Sequence, residues 1–197
     1  MKRAVILHGT DGSPTVNWFP WLEQQLEARG YEVWVPQLPN AHMPSTRRYT
    51  KFLLDSGWDF QDNLLIGHSS GAVEILHLLP ALPEKVSVRA AVLAGVFTID
   101  QADDPKWVRV RQLFEQQLGG MFEEPLELEK VKAKAEHFLF VHGDNDPYCD
   151  PDRARALAQK LGGEYVEISN GQHFSAGIDP TYTKFPKLME LVEPQLL

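Results

Sequence analysis

A serine set between two glycines, Gly67-His68-Ser69-Ser70-Gly71, carries the strongest chemical signal in this chain. It follows the apolar run Leu64-Leu65-Ile66 and precedes Ala72-Val73-Glu74-Ile75-Leu76, so a strand, a sharp turn and a helix are all present. A turn this tight crowds the backbone, and a side chain at 67 or 71 would clash. Ser69 would then present its hydroxyl at the carboxyl edge of a sheet. A serine hydroxyl is a weak nucleophile unless a base takes its proton, so the chemistry demands a histidine and a carboxylate to hold that histidine. Both lie downstream: His142-Gly143-Asp144-Asn145-Asp146-Pro147 ends one apolar run, and Gly171-Gln172-His173-Phe174 follows the last one. The order Ser69, Asp146, His173 is one in which such a constellation is built.

The competing residues can be weighed individually. Asp144 and Asp146 are two positions apart, so one of them faces the histidine; Pro147 biases the backbone of Asp146 to an extended form and favours it, leaving Asp144 as a turn cap. Of the seven histidines, His8 and His142 end strands, His68 sits inside the serine turn, and His42, His77 and His137 have no evident partner. His173 alone follows the final strand in a loop at the sheet edge where ligands of open α/β sheets bind. The Asp144, Asp146, Asp150, Asp152 series fails as a calcium loop, because Cys149 stands where Gly is required and Arg155 where a bidentate Glu is required. No metal is expected. Cys149, the single cysteine, reads as a small packing residue.

An acyl-transfer site also needs two N–H donors for the developing oxyanion, one from the residue after the nucleophile and one from the loop after the first strand. Those are Ser70 and Thr10, the latter in His8-Gly9-Thr10-Asp11-Gly12-Ser13, with Gly9 as a neighbour that could substitute or touch substrate. No phosphate-loop pattern occurs, so no nucleotide cofactor is expected.

The elements that must position these groups alternate. Short apolar runs at 4–7, 31–35, 63–66, 88–94, 137–141 and 164–168 are separated by helical spacing at 17–29, 46–55, 70–79, 152–161 and 185–192. Near-continuous apolar strands with intervening helices predict an α/β fold, a mainly parallel sheet of six strands with helices on both faces, in a single domain over residues 1–197. The stretch 97–136 breaks this rhythm and reads as a small cap insertion. Trp107, Phe114 and Phe122 in it would bind substrate if they face the serine, or pack as an ordinary helix if they do not.

Composition narrows the partners. Acidic residues outnumber basic ones 27 to 19, a net charge of −8, which works against binding nucleic acid phosphates. The four apolar residues of 4–7 fall short of the roughly 7 to 15 of a secretory signal, and 90–99 is half the ~20 a bilayer crossing needs. A cytoplasmic protein with no membrane partner is expected.

At this level the chain resembles the compact serine hydrolases of the retinoblastoma-binding-protein-9 and YdeN-like family, a small branch of the α/β-hydrolases. The resemblance spans nearly the full length and rests on Ala4-Val5-Ile6-Leu7-His8-Gly9, Asn17-Trp18-Phe19-Pro20-Trp21-Leu22, the 65–72 segment, Asp144-Asn145-Asp146-Pro147 and Gly171-Gln172-His173-Phe174. It implies a sheet order 2-1-3-4-5-6, Ser69, Asp146 and His173 as the triad, and an esterase-like activity without cofactor. The Leu-x-Cys-x-Glu segment behind the retinoblastoma-binding name is missing, since Cys149 lies in Pro147-Tyr148-Cys149-Asp150-Pro151. The expected function is cleavage of a small-molecule acyl ester; amide or peptide cleavage by the same triad, and a non-catalytic binding protein on this fold, remain the alternatives.

Overall fold

A computed structural model of the chain describes residues 2–98, 110, 112 and 114–196, the side chains of 114, 195 and 196 excepted. The strands are β1 (Lys2–Leu7), β2 (Tyr31–Trp34), β3 (Leu64–His68), β4 (Val88–Ala94), β5 (Ala135–Gly143) and β6 (Glu164–Ile168). They form one sheet in the order β2-β1-β3-β4-β5-β6, and every neighbouring pair is parallel. The α-helices are α1 (Phe19–Glu27), α2 (Thr46–Asp55), α3 (Ser70–Ala81), α4 (Leu128–Lys132), α5 (Pro151–Leu161) and α6 (Pro186–Val192).

Successive strand residues face opposite sides, and both sides of the sheet are covered, which is why the inner strands carry unbroken apolar stretches at Ala4–Leu7, Leu64–Ile66 and Ala90–Ala94, while the edge strands β2 and β6 carry Glu32, Glu164 and Glu167. Val5 and Leu7 of β1 pack with Tyr49 and Leu53 of α2, the apolar residues of α3, and Leu157 of α5. Ala4 and Ile6 pack on the opposite face with Leu22 and Leu26 of α1 and Leu188 and Val192 of α6. Helix α3, in the central position, is buried from Ser70 to Leu76 without a break, so the helix that starts at the serine turn is clamped by the core.

The element boundaries differ from the sequence expectation for physical reasons. Helix α1 starts at Phe19 rather than 17, because Asn17 adopts a positive φ of 54° that a helix cannot accommodate. Helix α3 runs through Pro80 to Ala81, with Pro80 in the last turn and the Leu82 N–H donating to Leu78 O at 3.1 Å. Strand β5 begins at Ala135, which pairs with Val88, so the last two residues of the stretch read as an insertion belong to the sheet. Within that stretch, a π-helical turn (Phe114–Leu118), a 3-10 turn (Gly119–Met121) and α4 follow one another, and Met121 and Val131 are buried in the core. Trp107 lies outside the described residues. Among the described residues, no helix is long and apolar enough to cross a membrane.

Candidate active site

Ser69 occupies the turn between β3 and α3 with φ 55° and ψ −123°. A non-glycine residue held there is strained, and that strain persists only when the surroundings dictate it. They do: a Cβ at Gly67 would lie 2.6 Å from the Ala72 backbone nitrogen, and one at Gly71 would run into the Leu7 and His8 carbonyl oxygens. The turn is wedged between its own helix and the end of β1. A Cβ at Gly9 would sit 2.9 Å from the Ser69 Cβ, so the loop after β1 passes directly against the serine.

His173 and Asp146 meet from two further strand ends. The His173 Nδ1–H donates to Asp146 Oδ2 at 2.8 Å, and both side chains are buried. The other carboxylate oxygen, Oδ1, accepts the Tyr148 N–H at 2.8 Å and the Cys149 N–H at 3.0 Å. Asp146 is therefore oriented by backbone donors and leaves one oxygen for the imidazole. With Nδ1 protonated, the neutral ring keeps Nε2 as a proton acceptor. Asp144 points elsewhere: its Oδ1 accepts the Asn170 N–H at 2.7 Å, while Asn145 Oδ1 accepts the Gln172 N–H at 2.8 Å. Those two bonds tie the loop after β5 to the loop that carries His173. Gly95, with φ 62°, lies beneath the imidazole; a Cβ there would be 3.1 Å from His173 Cε1.

The histidine loop is fastened at three more points. His68 Nε2–H donates to the His173 carbonyl at 2.7 Å, Trp18 Nε1–H donates to Phe174 O at 3.1 Å, and Ala176 N–H donates to Asn17 Oδ1 at 2.9 Å. Burial and the neighbouring His173 push the pKa of His68 down to about 3, so it stays neutral, with Nδ1 buried and unbonded. His8 is likewise neutral by burial: its Nδ1–H donates to Gly9 O at 2.9 Å, and its Nε2 accepts the Leu38 N–H at 3.0 Å. These two histidines, read from sequence as a loop former and a neighbour of the nucleophile, brace the backbone around it. No local pattern signals bonds that span 105 and 30 positions.

The Thr10 and Ser70 side chains bond each other, with the Thr10 hydroxyl donating to Ser70 Oγ at 3.0 Å. The loop after β1 is thus held against the first turn of α3, whose leading N–H groups have no helical acceptor. Among the described residues, neither the Thr10 nor the Ser70 backbone N–H donates to a protein acceptor. Thr10 borders the space over Ser69, and Ser70 is fully buried. The same loop carries Asp11, whose carboxylate accepts from His42 Nδ1 at 2.8 Å and Gln117 Nε2 at 3.0 Å, so His42 has a partner that the sequence did not reveal.

A cavity of about 430 Å³ opens over Ser69 and is also lined by Gly9, Thr10, His173 and Tyr148. Its apolar wall is Phe97, Val110, Leu118 and Ile178. Of the residues expected to bind substrate, Gly9 is in this lining, and Phe122 is not: it packs edge to face on Phe97, ring centres 5.7 Å apart, and lines a neighbouring cavity instead. Phe122 thus stands off the space directly over Ser69 and borders the adjoining one, with the Phe97 ring beside it. The side chain of Phe114, like Trp107, lies outside the described residues. Tyr148, not singled out by sequence, stands edge-on to the His173 ring at 5.1 Å.

Cys149 is the other nucleophile-type group nearby. Its thiol donates to Gly95 O at 3.1 Å, and burial together with the Asp146 and Asp150 carboxylates raises its pKa well above the ordinary thiol value. The group stays protonated and unreactive. Asp146, Cys149 and His173 place ligand-type atoms within 4.8 Å of one another, but each is already committed to a protein hydrogen bond.

Known proteins share this architecture. A family model described as "Serine hydrolase" matches residues 4–193. The YdeN protein of Bacillus subtilis (strain 168) is 24% identical over 192 residues, 97% of this chain and 94% of that one. The crystal structure of the B. subtilis ydeN gene product superposes with a TM-score of 0.84 at 22% identity, covering 99% of this chain and 98% of the other. A carboxylesterase structure from the thaumarchaeon Nitrososphaera gargenis superposes with a TM-score of 0.74 at 14% identity, covering 98% and 90%. The fold is that of the α/β-hydrolases, with the 2-1-3-4-5-6 sheet.

Proposed function

The chain belongs to the serine hydrolase family, and from that premise we propose that Ser69, His173 and Asp146 form its catalytic triad and cleave a small acyl ester. The observation that carries this reading is the 2.8 Å bond from His173 to Asp146 beside a strained Ser69 that lines the same cavity. His173 Nε2 takes the Ser69 proton as Oγ attacks the carbonyl carbon, and the imidazolium formed is stabilised by Asp146. The oxygen that becomes negative is received by the Thr10 and Ser70 N–H groups. As the tetrahedral intermediate collapses, Nε2–H returns the proton to the departing alkoxide. Water then repeats the sequence on the acyl-enzyme, releases the acid and regenerates Ser69.

An ester is the favoured bond because an alkoxide is a far better leaving group than an amide nitrogen, although the proton from Nε2 would serve either. The cavity, at about 430 Å³, lies in the size range of small-molecule sites. The test is hydrolysis of p-nitrophenyl acetate together with labelling by a fluorophosphonate probe. Wild type should do both, and Ser69→Ala neither. Labelling that survives the substitution, or a folded wild type that releases no p-nitrophenol above buffer, overturns the reading.

A further inference from the structure

The cavity over Ser69 has a neighbour of almost equal size. It measures about 420 Å³ and is lined by Val73 and Leu76 of α3, Leu157 of α5, Phe97, Phe122 and Leu126, among others. Phe97 is common to both cavities. Phe97, 5% exposed, contributes to the wall of each and packs edge to face on Phe122. Val73, Leu76 and Leu157 are buried at the base of this second space, whereas Glu123 and Glu124 are exposed at its rim. His77 and Thr98 also line this space, but its floor and walls are mainly apolar. A flexible apolar chain suits it, because transferring each methylene from water contributes about 0.8 kcal/mol.

We propose that this second cavity receives the distal end of a linear, uncharged acyl chain whose carbonyl lies at Ser69, so that the hydrolase takes medium-chain acyl esters. The inference rests on the Ser69 reading and adds the substrate class. The leaving group must lie where His173 can protonate it, alongside Tyr148 and Ile178 of the neighbouring loops. The acyl remainder is placed toward Phe97, the residue that both cavities share, with its distal end in the space lined by Val73 and Leu76. The acidic rim selects against a terminal carboxylate by like-charge repulsion and leaves a terminal methyl unopposed.

The experiment measures kcat/KM on p-nitrophenyl esters from acetyl to dodecanoyl for wild type, Phe97→Ala, and two variants that fill the second cavity, Leu126→Trp and Thr98→Phe. The expected result is a wild-type optimum near hexanoyl to octanoyl. Either filling variant should lower the octanoyl-to-acetyl ratio by tenfold or more, and Phe97→Ala should move the optimum to longer chains. An octanoyl-to-acetyl ratio within twofold of wild type in whichever filling variant folds, as judged by thermal melting, overturns the inference while acetate turnover keeps the triad reading standing. Absence of acetate turnover in wild type withdraws both.

Discussion

His68 donates its Nε2–H to the carbonyl oxygen of His173 at 2.7 Å, linking the residue before Ser69 to the backbone of the proposed general base across 105 positions. The bond fixes the backbone from which the imidazole projects, and misplacing a reacting group by about 1 Å can cost on the order of a hundredfold in rate. His68→Phe retains a planar ring and loses the donor. It should lower kcat by about ten- to a hundredfold with KM little changed, and His68→Gln, which restores an N–H, should recover part of the loss. An unaltered kcat in His68→Phe would show that the His173 loop is held without it.

Asp146 and Asp144 offer an internal contrast, since they share a loop and only the first touches His173. Asp146→Asn leaves an amide that can donate to Nδ1 and stabilise the wrong tautomer, so kcat should fall by roughly three to four powers of ten. Asp144→Asn keeps a carbonyl oxygen for the Asn170 N–H and should stay within a few-fold of wild type. Parallel steady-state assays settle the matter, and equal losses would reassign the acid.

Glu74 is a carboxyl buried in α3, with Oε1 accepting the Thr50 hydroxyl at 2.7 Å and Oε2 unbonded. Burial raises its pKa well above the usual carboxylate value. The folded state therefore holds a proton that the unfolded chain has released above its ordinary pKa. Stability drops as pH rises through that window, by up to about 1.4 kcal/mol per pH unit for one group. Glu74→Gln has no proton to hold and should raise Tm more at pH 8 than at pH 5. A Tm gain that is the same at both values would mean the carboxyl is not protonated in the fold.

The buried histidines act with the opposite sign. His68 is pushed down to about 3 and His142 to about 4, chiefly by burial, from an ordinary value of 6.5. Their folded pKa values are depressed, so the unfolded chain takes up protons first as the solution is acidified. The stability linked to them is complete above pH 6.5 and is lost as pH falls toward 4 and then 3. Urea midpoints measured between pH 7 and pH 4.5 should decline, and His142→Phe should flatten that decline. Because Glu74 acts in the opposite direction over the same interval, the deciding comparison is between proteins, and a pH dependence of equal size in wild type and His142→Phe would contradict the assignment.

Much of the scaffold is legible in local pattern. Continuous apolar runs such as Ala90–Ala94 mark strands covered on both faces, and Gly67 and Gly71 mark a turn with no room for a Cβ. The helix start at Phe19 is less legible, because hydrophobic spacing continues across Asn17 while its backbone does not. Which way Phe122 faces is illegible for a similar reason: helical periodicity gives a side but not the neighbour on that side, and Phe97 intervenes. The Thr10 bond to Ser70 and the Gly95 seat beneath His173 join segments far apart in the chain. Short-range spacing contains no term for them.

The tethers from Asn17 and Trp18 end at Ala176 and Phe174, and the exposed Ile178 lies just past them on the lip of the cavity. Ala176 and Phe174 are tied to the approach to the first helix, so lengthening the tip at Gly177–Ile178 would remodel the doorway without shifting the proposed proton-transfer pair. On the proposed reading, selectivity and reactivity are separable, and new tastes can be grafted onto an unchanged engine.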